Sequence, residues 1–296
     1  MLSNAEKYSV TDNTTLLEFL AIRYPQSSKT GIKKMIVHGS ISVNGKIERN
    51  PAQMVKAGDE ISYQRNTMVS RPKAPFRLIF EDEHIIVIEK PAGLLTYGDK
   101  GTMGTSAYKE MKEYLFKNST GRSELFIVHR LDREVSGILM FARSEAIQER
   151  LKDNWKEFTK KYQALTEGVF SEKSGEITSW LSDDRAGFKV YSGRERDGAR
   201  YAETKWSVLK AMEDYTLVEL QLVTGRKNQI RVHLSDIGHP VVGDRKYGAD
   251  ATWKRRIRLH GYYLRIRHPK TDEWLEFRSD LPKGFLVLHP KHENYK

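Results

Sequence analysis

The sequence predicts an α+β protein: a large domain built on a mixed or mostly antiparallel sheet, preceded by a small α+β module. Three observations favour this class. After residue 76 the strand-like segments outnumber the helical ones, the helices do not alternate regularly with them, and a compact run of two helices and short strands comes first. We therefore divide the 296 residues into a module at 12–65, a basic linker at 66–75 and a main domain at 76–291.

Composition narrows the class of protein. No cysteine occurs, which excludes disulfide scaffolds, thiolate metal sites, iron–sulfur clusters and a cysteine nucleophile. No apolar run approaches the roughly 18 residues of a membrane span, and the N-terminus holds no apolar segment, so we expect a cytoplasmic protein without membrane contact. The formal net charge of +11 points to a polyanionic partner, although charge alone is equally compatible with an ordinary basic protein.

The module opens with two helical patterns. Leucines recur at helical spacing in the first, Thr14 or Thr15 is suited to its N-cap, and Pro25 ends it. The second helix is predicted at 29–37, with apolar residues on one side and lysines on the other. The two patterns together predict a small helical hairpin with one basic face.

Short strands complete the module. Residues 41–43 alternate apolar and polar side chains, Asn44-Gly45 is a strong turn signal, and 58–63 predicts a turn and a last strand. Two helices followed by this pattern resemble the alpha-L RNA-binding motif over roughly 50 residues. The resemblance implies that a basic face contacts RNA, the alternative being a solvated face without a partner. The residues concerned are Lys29, Lys33, Lys34, His38 and Lys46.

The main domain reads as many strands and two helices. Strands are predicted at 78–80, 85–89, 126–128, 137–142, 162–170, 204–212, 215–223, 228–234, 258–268 and 273–279. Helices are predicted at 105–117 and from Ser144 onward.

A carboxylate between two arginines marks the candidate site. Asp132 lies between Arg130 and Arg133 in a loop that joins two apolar strands. The structural interpretation is an ion pair or a turn cap. The functional one is that a neighbouring arginine keeps Asp132 ionised and oriented, as a carboxylate nucleophile requires.

The segment HRLDREVSGILMFARS at 129–144 resembles the signature of the RluA-type pseudouridine synthases. Further matches follow in the family's order over about residues 76–290. They are the Lys90-Pro91-x-Gly93 turn, Lys161-Tyr162, Ala202-x-Thr204, the run from Thr224 to His233, and the segments 238–248 and 258–269. Two features depart from the family's common pattern, Asn228 and Glu134-Val135. Asp132 itself is retained, so the departures concern which RNA is the substrate and not whether the protein is active.

The resemblance implies roles for three residues. The family converts uridine in RNA to pseudouridine without metal, redox carrier or nucleotide, so we expect no cofactor. Asp132 is the expected catalytic carboxylate, attacking or deprotonating the ribose. Tyr162 is expected against the target base; outside the family context it reads as a packed strand tyrosine.

Arg231 is the expected ion-pair partner of Asp132. In an extended strand at 228–234, Gln229, Arg231 and His233 share one face, and a buried arginine there requires an acid.

The remaining site residues are expected to contact RNA. Arg226 is assigned to phosphate, and Arg130 and Arg133 to the setting of Asp132 or to the RNA backbone. His129 is expected to wedge into RNA or contact it near the flipped base, and Gln229 is expected to bind RNA.

These inferences predict an RNA pseudouridine synthase acting on large-subunit ribosomal RNA, with tRNA as the alternative substrate. The rival class is an inactive RNA-binding or ribosome-assembly factor; a DNA-binding protein has little support. A monomer is the default expectation.

Overall fold

The computed structural model describes residues 6–37, 39–63, 74–98, 105–118, 124–184, 189–250 and 256–287. Most of the predicted linker at 66–75, and the predicted RNA contact His38, lie outside these residues. The chain forms two compact units. The first comprises Met1–Pro75 with Glu110–Glu124, and the second comprises Phe76–Lys109 with Leu125–Lys296.

In the described residues between 6 and 63, the first unit contains a four-stranded sheet, a two-stranded sheet and two helices. Its elements are β1 (Glu6–Ser9), β2 (Thr14–Thr15), α1 (Leu16–Arg23), α2 (Lys29–Val37), β3 (Ile41–Val43), β4 (Lys46–Ile47), β5 (Met54–Val55) and β6 (Glu60–Tyr63). The larger sheet has the order β1-β6-β3-β4, and β2 pairs with β5. Because β1 belongs to the sheet, this unit begins upstream of residue 12.

The module's local signals act as the sequence predicts. Thr15 is the N-cap of α1 and forms a capping box with Glu18, which satisfies amides at the start of the helix. Asn44 and Gly45 both have positive φ and form the β3–β4 turn. The Asn44 side chain also bonds Asp59 and the amide of Glu60, so it joins this turn to β6.

The second unit is dominated by one eleven-stranded mixed sheet. Its strands are β7 (Arg77–Glu81), β8 (Ile85–Lys90), β9 (Phe126–Ile127), β10 (Ser136–Ala142), β11 (Thr159–Glu167), β12 (Ser174–Asp183), β13 (Val190–Gly193), β14 (Arg200–Ala211), β15 (Tyr215–Leu222), β16 (Leu259–Arg267) and β17 (Trp274–Arg278). The order is β13-β12-β14-β15-β11-β16-β10-β8-β7, with β17 on β16 and β9 on β10. The β10–β16 pairing is parallel, which confirms the predicted mixed sheet.

Two α-helices accompany these strands in the described residues, α4 (Glu145–Asp153) and α5 (Gln229–Asp236), whereas α3 (Ala107–Asn118) begins in the second unit and continues in the residues of the first. Helix α4 begins after Ser144, whose side chain accepts the amide of Ile147, as its sequence predicts. No helix in the described parts of the chain is long and apolar enough to cross a membrane.

The predicted strand at 228–234 is wrong, since these residues lead into and form α5. Ile230, Val232 and Leu234 suggest a strand by their spacing, but every residue from Gln229 to Leu234 is buried. A helix satisfies its backbone groups internally, which suits a segment buried on all sides. The sequence reading also omitted β12 and β13, which form one edge of the sheet.

Candidate active site

A cavity of about 320 Å³ opens beside the loop at 128–135. Its walls come from this loop, from the residues at the start of β11, from β16, and from the segment 225–231 that enters α5. Asp132, Tyr162 and Arg231 all line it, although they are far apart in the chain.

Hydrogen bonds from the segment after β8 hold the backbone of the Asp132 loop in place. The Thr96 hydroxyl donates to the carbonyl of Leu131 (2.8 Å) and accepts the amide of Leu131 (3.1 Å). Gly93 donates its amide to the carbonyl of Arg133 at 2.7 Å. These bonds fix the backbone on both sides of Asp132.

Lys90 strengthens the same attachment from a fully buried position. Its Nζ donates to the carbonyls of Pro91 (3.0 Å), Leu94 (2.7 Å) and Arg133 (3.4 Å). Burial lowers the Lys90 pKa to about 8, while the nearby acid Asp132 favours the charged form. The Lys-Pro-x-Gly turn of the sequence is therefore the support of the Asp132 loop.

Arg231 lies between two carboxylates. Its Nη1 donates to Asp132 Oδ2 at 3.2 Å, so the ion pair expected from the sequence is present. Its Nε and Nη2 donate to the two oxygens of Asp244 at 2.6 and 2.9 Å. The bidentate pair is the closer one, and the Asp244 side chain is only 1% exposed.

The surroundings of Arg231 leave its guanidinium little freedom. Asn228 accepts from Nη1 at 3.3 Å, and the Tyr247 ring lies 5.1 Å from the guanidinium carbon. Burial lowers the Arg231 pKa, but hydrogen bonds to Asp244 and the charge of Asp132 outweigh it and raise that pKa above its usual value. Arg231 is thus a fixed cation that presents one N–H to Asp132.

Tyr162 owes its place to a pair of glycines. Gly261 pairs with Tyr162 across β16 and β11, and a Cβ at Gly261 would lie 3.2 Å from the tyrosine ring. Gly137 pairs with Gly261 across the parallel strands, where a Cβ would lie 2.3 Å from the Gly261 oxygen. The start of β10, and with it the Asp132 loop, therefore approaches the strand against which Tyr162 packs.

The Tyr162 phenol is held protonated. Its pKa is raised by burial first and by the charge of Asp132 second. The group is therefore suited to donate a hydrogen bond into the cavity.

The buried side chain of His260 links the start of β10 to β16. His260 bonds Ser136 through Nδ1 (2.9 Å) and Ser279 through Nε2 (3.1 Å). Burial lowers the His260 pKa to about 4, so the imidazole is neutral near pH 7. Ser136 opens β10 four residues after Asp132 and is thereby tied to β16.

The helical form of α5 changes the predicted arrangement of its side chains. Gln229 and His233 are one turn apart and both reach the Thr204 hydroxyl, each at 2.9 Å. Arg231 points away from this pair toward Asp132 and Asp244. The expectation that Gln229, Arg231 and His233 share one face is therefore wrong.

Gln229 organises the loop before α5. Its oxygen accepts the Thr224 hydroxyl (2.8 Å) and the Arg226 amide (2.9 Å), and its nitrogen also donates to the carbonyl of Glu203 (2.9 Å). Both ends of the buried amide are bonded within the protein, and Gln229 also lines the cavity, so its expected contact with RNA stays a prediction.

His129 forms part of the cavity wall. Its Nε2 accepts the Met140 amide at 3.0 Å, and its ring stacks on Trp155 at 4.8 Å. Burial, and then the charge of Lys160, lower the His129 pKa to about 3, so the ring is neutral. The hydrogen bond and the stacking do not favour a ring that wedges into RNA. A contact with RNA near the flipped base stays a prediction, because His129 lines the cavity.

Most basic residues that are predicted to contact RNA have exposed side chains. Arg130 and Arg226 are exposed and line the cavity, while Arg133 is exposed outside it and donates to the carbonyl of Gly93 at 3.1 Å. Of the lysines predicted to contact RNA, Lys29, Lys33 and Lys46 are exposed. The side chain of Lys34 lies outside the described part of the structure.

Two site residues escaped the sequence reading. Asp244 and His260 lie in the segments 238–248 and 258–269, which match the family only as motifs and carry no role predicted for either residue. The signal for Asp244 is the burial of Arg231. A buried guanidinium needs charged partners in place of water, and the partly exposed Asp132 alone does not replace that water.

The comparisons with known proteins agree with this geometry. Residues 84–236 match the RNA pseudouridylate synthase family, and residues 15–61 match the S4 domain. The chain belongs to the RNA pseudouridine synthase family and carries an N-terminal S4 domain. Both resemblances drawn from the sequence are confirmed.

Curated relatives cover nearly the whole chain. An uncharacterised RNA pseudouridine synthase of Aquifex aeolicus is 33% identical over 92% of this chain and 92% of its own. The ribosomal large subunit pseudouridine synthase D of Haemophilus influenzae is 28% identical over 91% of this chain and 88% of its own.

Among solved structures, human RNA pseudouridylate synthase domain containing 1 is 26% identical with a TM-score of 0.57, covering 72% of this chain and 85% of its own. Human RNA pseudouridylate synthase domain containing 4 is 24% identical with a TM-score of 0.61, covering 73% of this chain and 93% of its own, and it supports the fold.

Proposed function

We propose that this protein isomerises specific uridines of large-subunit ribosomal RNA to pseudouridine, with Asp132 as the catalytic carboxylate. The observation that carries the proposal is the convergence of Asp132, Arg231 and Tyr162 on one cavity in a chain of this family. The rRNA substrate is proposed because the Haemophilus relative is named for the large ribosomal subunit and resembles this chain over most of its length.

Asp132 is suited to act on the ribose. Its side chain is 18% exposed, and Arg231 pairs with one of its oxygens at 3.2 Å. In the reaction the N-glycosidic bond between C1′ and N1 breaks, the base turns, and a bond forms between C1′ and C5. The C5 hydrogen then leaves as a proton and N1 takes up a proton. Asp132 starts this sequence either by attacking C1′ or by removing a ribose proton.

Tyr162 and Arg231 support that step in different ways. The Tyr162 ring offers a face for the uracil and a protonated phenol for a hydrogen bond. Arg231 orients the carboxylate and balances its charge, because Asp244 already holds the guanidinium in place.

RNA reaches the cavity as a flipped nucleotide. Extrusion of a stacked uridine costs a few kcal/mol, which base stacking and edge hydrogen bonds in the pocket offset. Arg130 and Arg226 line the opening and are proposed to hold the neighbouring backbone, and the lysines of the S4 domain bind RNA elsewhere. The enzyme is proposed to act as a cytoplasmic monomer.

The test uses RNA from cells that lack this protein. Purified wild type and Asp132→Ala are incubated with this RNA, and pseudouridine is mapped chemically along rRNA and tRNA. We expect the wild type to restore a missing pseudouridine in large-subunit rRNA and the variant to restore none.

Other outcomes overturn parts of the proposal. Product confined to tRNA contradicts the rRNA substrate. Binding of RNA without product from either protein favours an assembly factor, and equal product from both removes the assigned role of Asp132.

A further inference from the structure

A second groove lies directly beside the catalytic cavity. It occupies about 590 Å³ and is lined by the facing ends of β12 and β13, by the turn that leads into β14, and by the segment 225–227. The same segment lines the catalytic cavity. The two spaces therefore share one wall, formed by Gly225, Arg226 and Lys227.

The groove carries an excess of positive charge. Among the described residues, four cations line it, Arg196, Arg200, Arg226 and Lys227, against the two acids Asp183 and Asp197. Two positive charges remain unbalanced among the lining residues, so an anionic ligand is favoured.

Contacts within the wall orient three of these cations. Arg196 Nη2 donates to Ser182 Oγ at 2.6 Å, and Arg226 Nε donates to the carbonyl of Tyr201 at 3.0 Å. Lys227 Nζ lies 2.5 Å from Asp183 Oδ1. Each arginine uses one N–H in these bonds, which leaves further N–H groups of its fork to face the groove.

The shared wall indicates which anion occupies the groove. A uridine that enters the catalytic cavity stays joined to its neighbours through phosphodiesters, so the backbone has to leave the cavity across its rim. Arg226 lies on that rim and faces both spaces. The backbone that crosses it enters a space whose arginines match phosphate in geometry and charge.

We propose that this groove binds the RNA backbone next to the target uridine, with Arg196 and Arg200 each contacting a phosphate. The inference rests on the proposed function, because it takes the ligand of the catalytic cavity to be a uridine within an RNA chain. It makes the substrate an oligonucleotide whose flanking phosphates contribute to binding.

The experiment measures binding alone and needs no turnover. The affinity of the Asp132→Asn protein for an oligouridylate of about 20 nucleotides is followed as a function of salt concentration. Arg196→Gln and Arg200→Gln are each added to this background. Arg194→Gln is the matched control, because Arg194 is exposed in the same turn but does not line the groove.

We expect each groove variant to reduce the steepness of log affinity against log salt by about 0.7, which is the value of one lost single-strand phosphate contact. Arg194→Gln leaves the slope at its starting value, and Arg200→Lys restores most of it because the charge returns. An unchanged slope in both groove variants overturns the proposal, as does an equal reduction in the Arg194 variant.

Failure of this proposal is distinguishable from failure of the proposed function. Unchanged slopes together with pseudouridine formation by the wild type contradict the groove alone. If the groove variants reduce the slopes but the wild type makes no pseudouridine, the groove proposal is supported and the proposed enzymatic function is contradicted.

Discussion

The bidentate pair between Arg231 and Asp244 gives the sharpest test of how the site is built. Asp244→Asn keeps the size of the side chain and removes its charge, so a buried guanidinium loses its closer partner. Breaking a buried ion pair in this way costs about 3–5 kcal/mol. Asp132 remains 3.2 Å away as a second acid, so we expect the lower end of that range, about 3 kcal/mol.

Thermal and urea unfolding measure this change. For a domain of this size, about 3 kcal/mol corresponds to a fall in Tm of roughly 6–12 °C. Asp272→Asn is the matched control, because Asp272 forms an exposed ion pair with Arg267 at 2.7 Å and is 56% exposed. We expect the control to change the free energy of unfolding by less than about 1 kcal/mol.

Asp244→Asn also tests the orientation of Asp132. With its anchor weakened, Arg231 no longer presents a fixed N–H to Asp132, and we expect the single-turnover rate of pseudouridine formation to fall at least about tenfold. A variant as stable and as fast as the wild type refutes the assignment of Asp244 as the main counterion of Arg231.

Three further predictions follow from the fold. Burial lowers the pKa of His260 to about 4 in the folded protein. As the pH falls from about 6.5 to 4, the unfolded state therefore takes up a proton that the folded state does not. The free energy of unfolding falls in this range by up to about 3 kcal/mol. Urea titrations at about pH 7 and 4.5 check this, and an unchanged pH dependence in His260→Gln contradicts it. Gly137→Ala places a Cβ 2.3 Å from the Gly261 oxygen, so we expect urea unfolding to show a fall of at least about 2 kcal/mol in the free energy of unfolding. Gly238→Ala is the control, because Gly238 also has a positive φ but its Cβ would meet open space. An equal fall in the control contradicts the role of the close contact. Thr15→Ala removes the α1 capping box and is expected to lower the protection of α1 amides against hydrogen exchange by about 1 kcal/mol; unchanged protection contradicts a capping role.

The sequence predicted the elements whose signals are local. Thr15 caps α1 and Ser144 caps α4 because a hydroxyl before an apolar pattern satisfies the first amides of a helix wherever it occurs. The Asn44-Gly45 turn followed in the same way from backbone conformations that these residues adopt at little cost.

What the sequence did not predict depends on tertiary contacts. The segment at 229–236 is a helix whose first residue, Gln229, bonds the preceding loop and whose residues from Gln229 to Leu234 are all buried. Neither fact is visible in its apolar spacing. The pairing of Arg231 with Asp132 followed from the resemblance, because 99 residues separate them. Asp244 and His260 required the folded chain, since their roles depend on what is buried beside them.

The central claim is that Asp132 performs the chemistry, and release of the uridine C5 hydrogen tests it most directly. RNA labelled with tritium at C5 of uridine is incubated with wild type, with Asp132→Asn, and with Glu134→Gln as the neighbouring control, since Glu134 is 46% exposed and lies 3.9 Å from Arg231. We predict that the wild type and the Glu134 variant release tritium to solvent and that Asp132→Asn releases none above background. Tritium release by Asp132→Asn at the wild-type rate contradicts the claim.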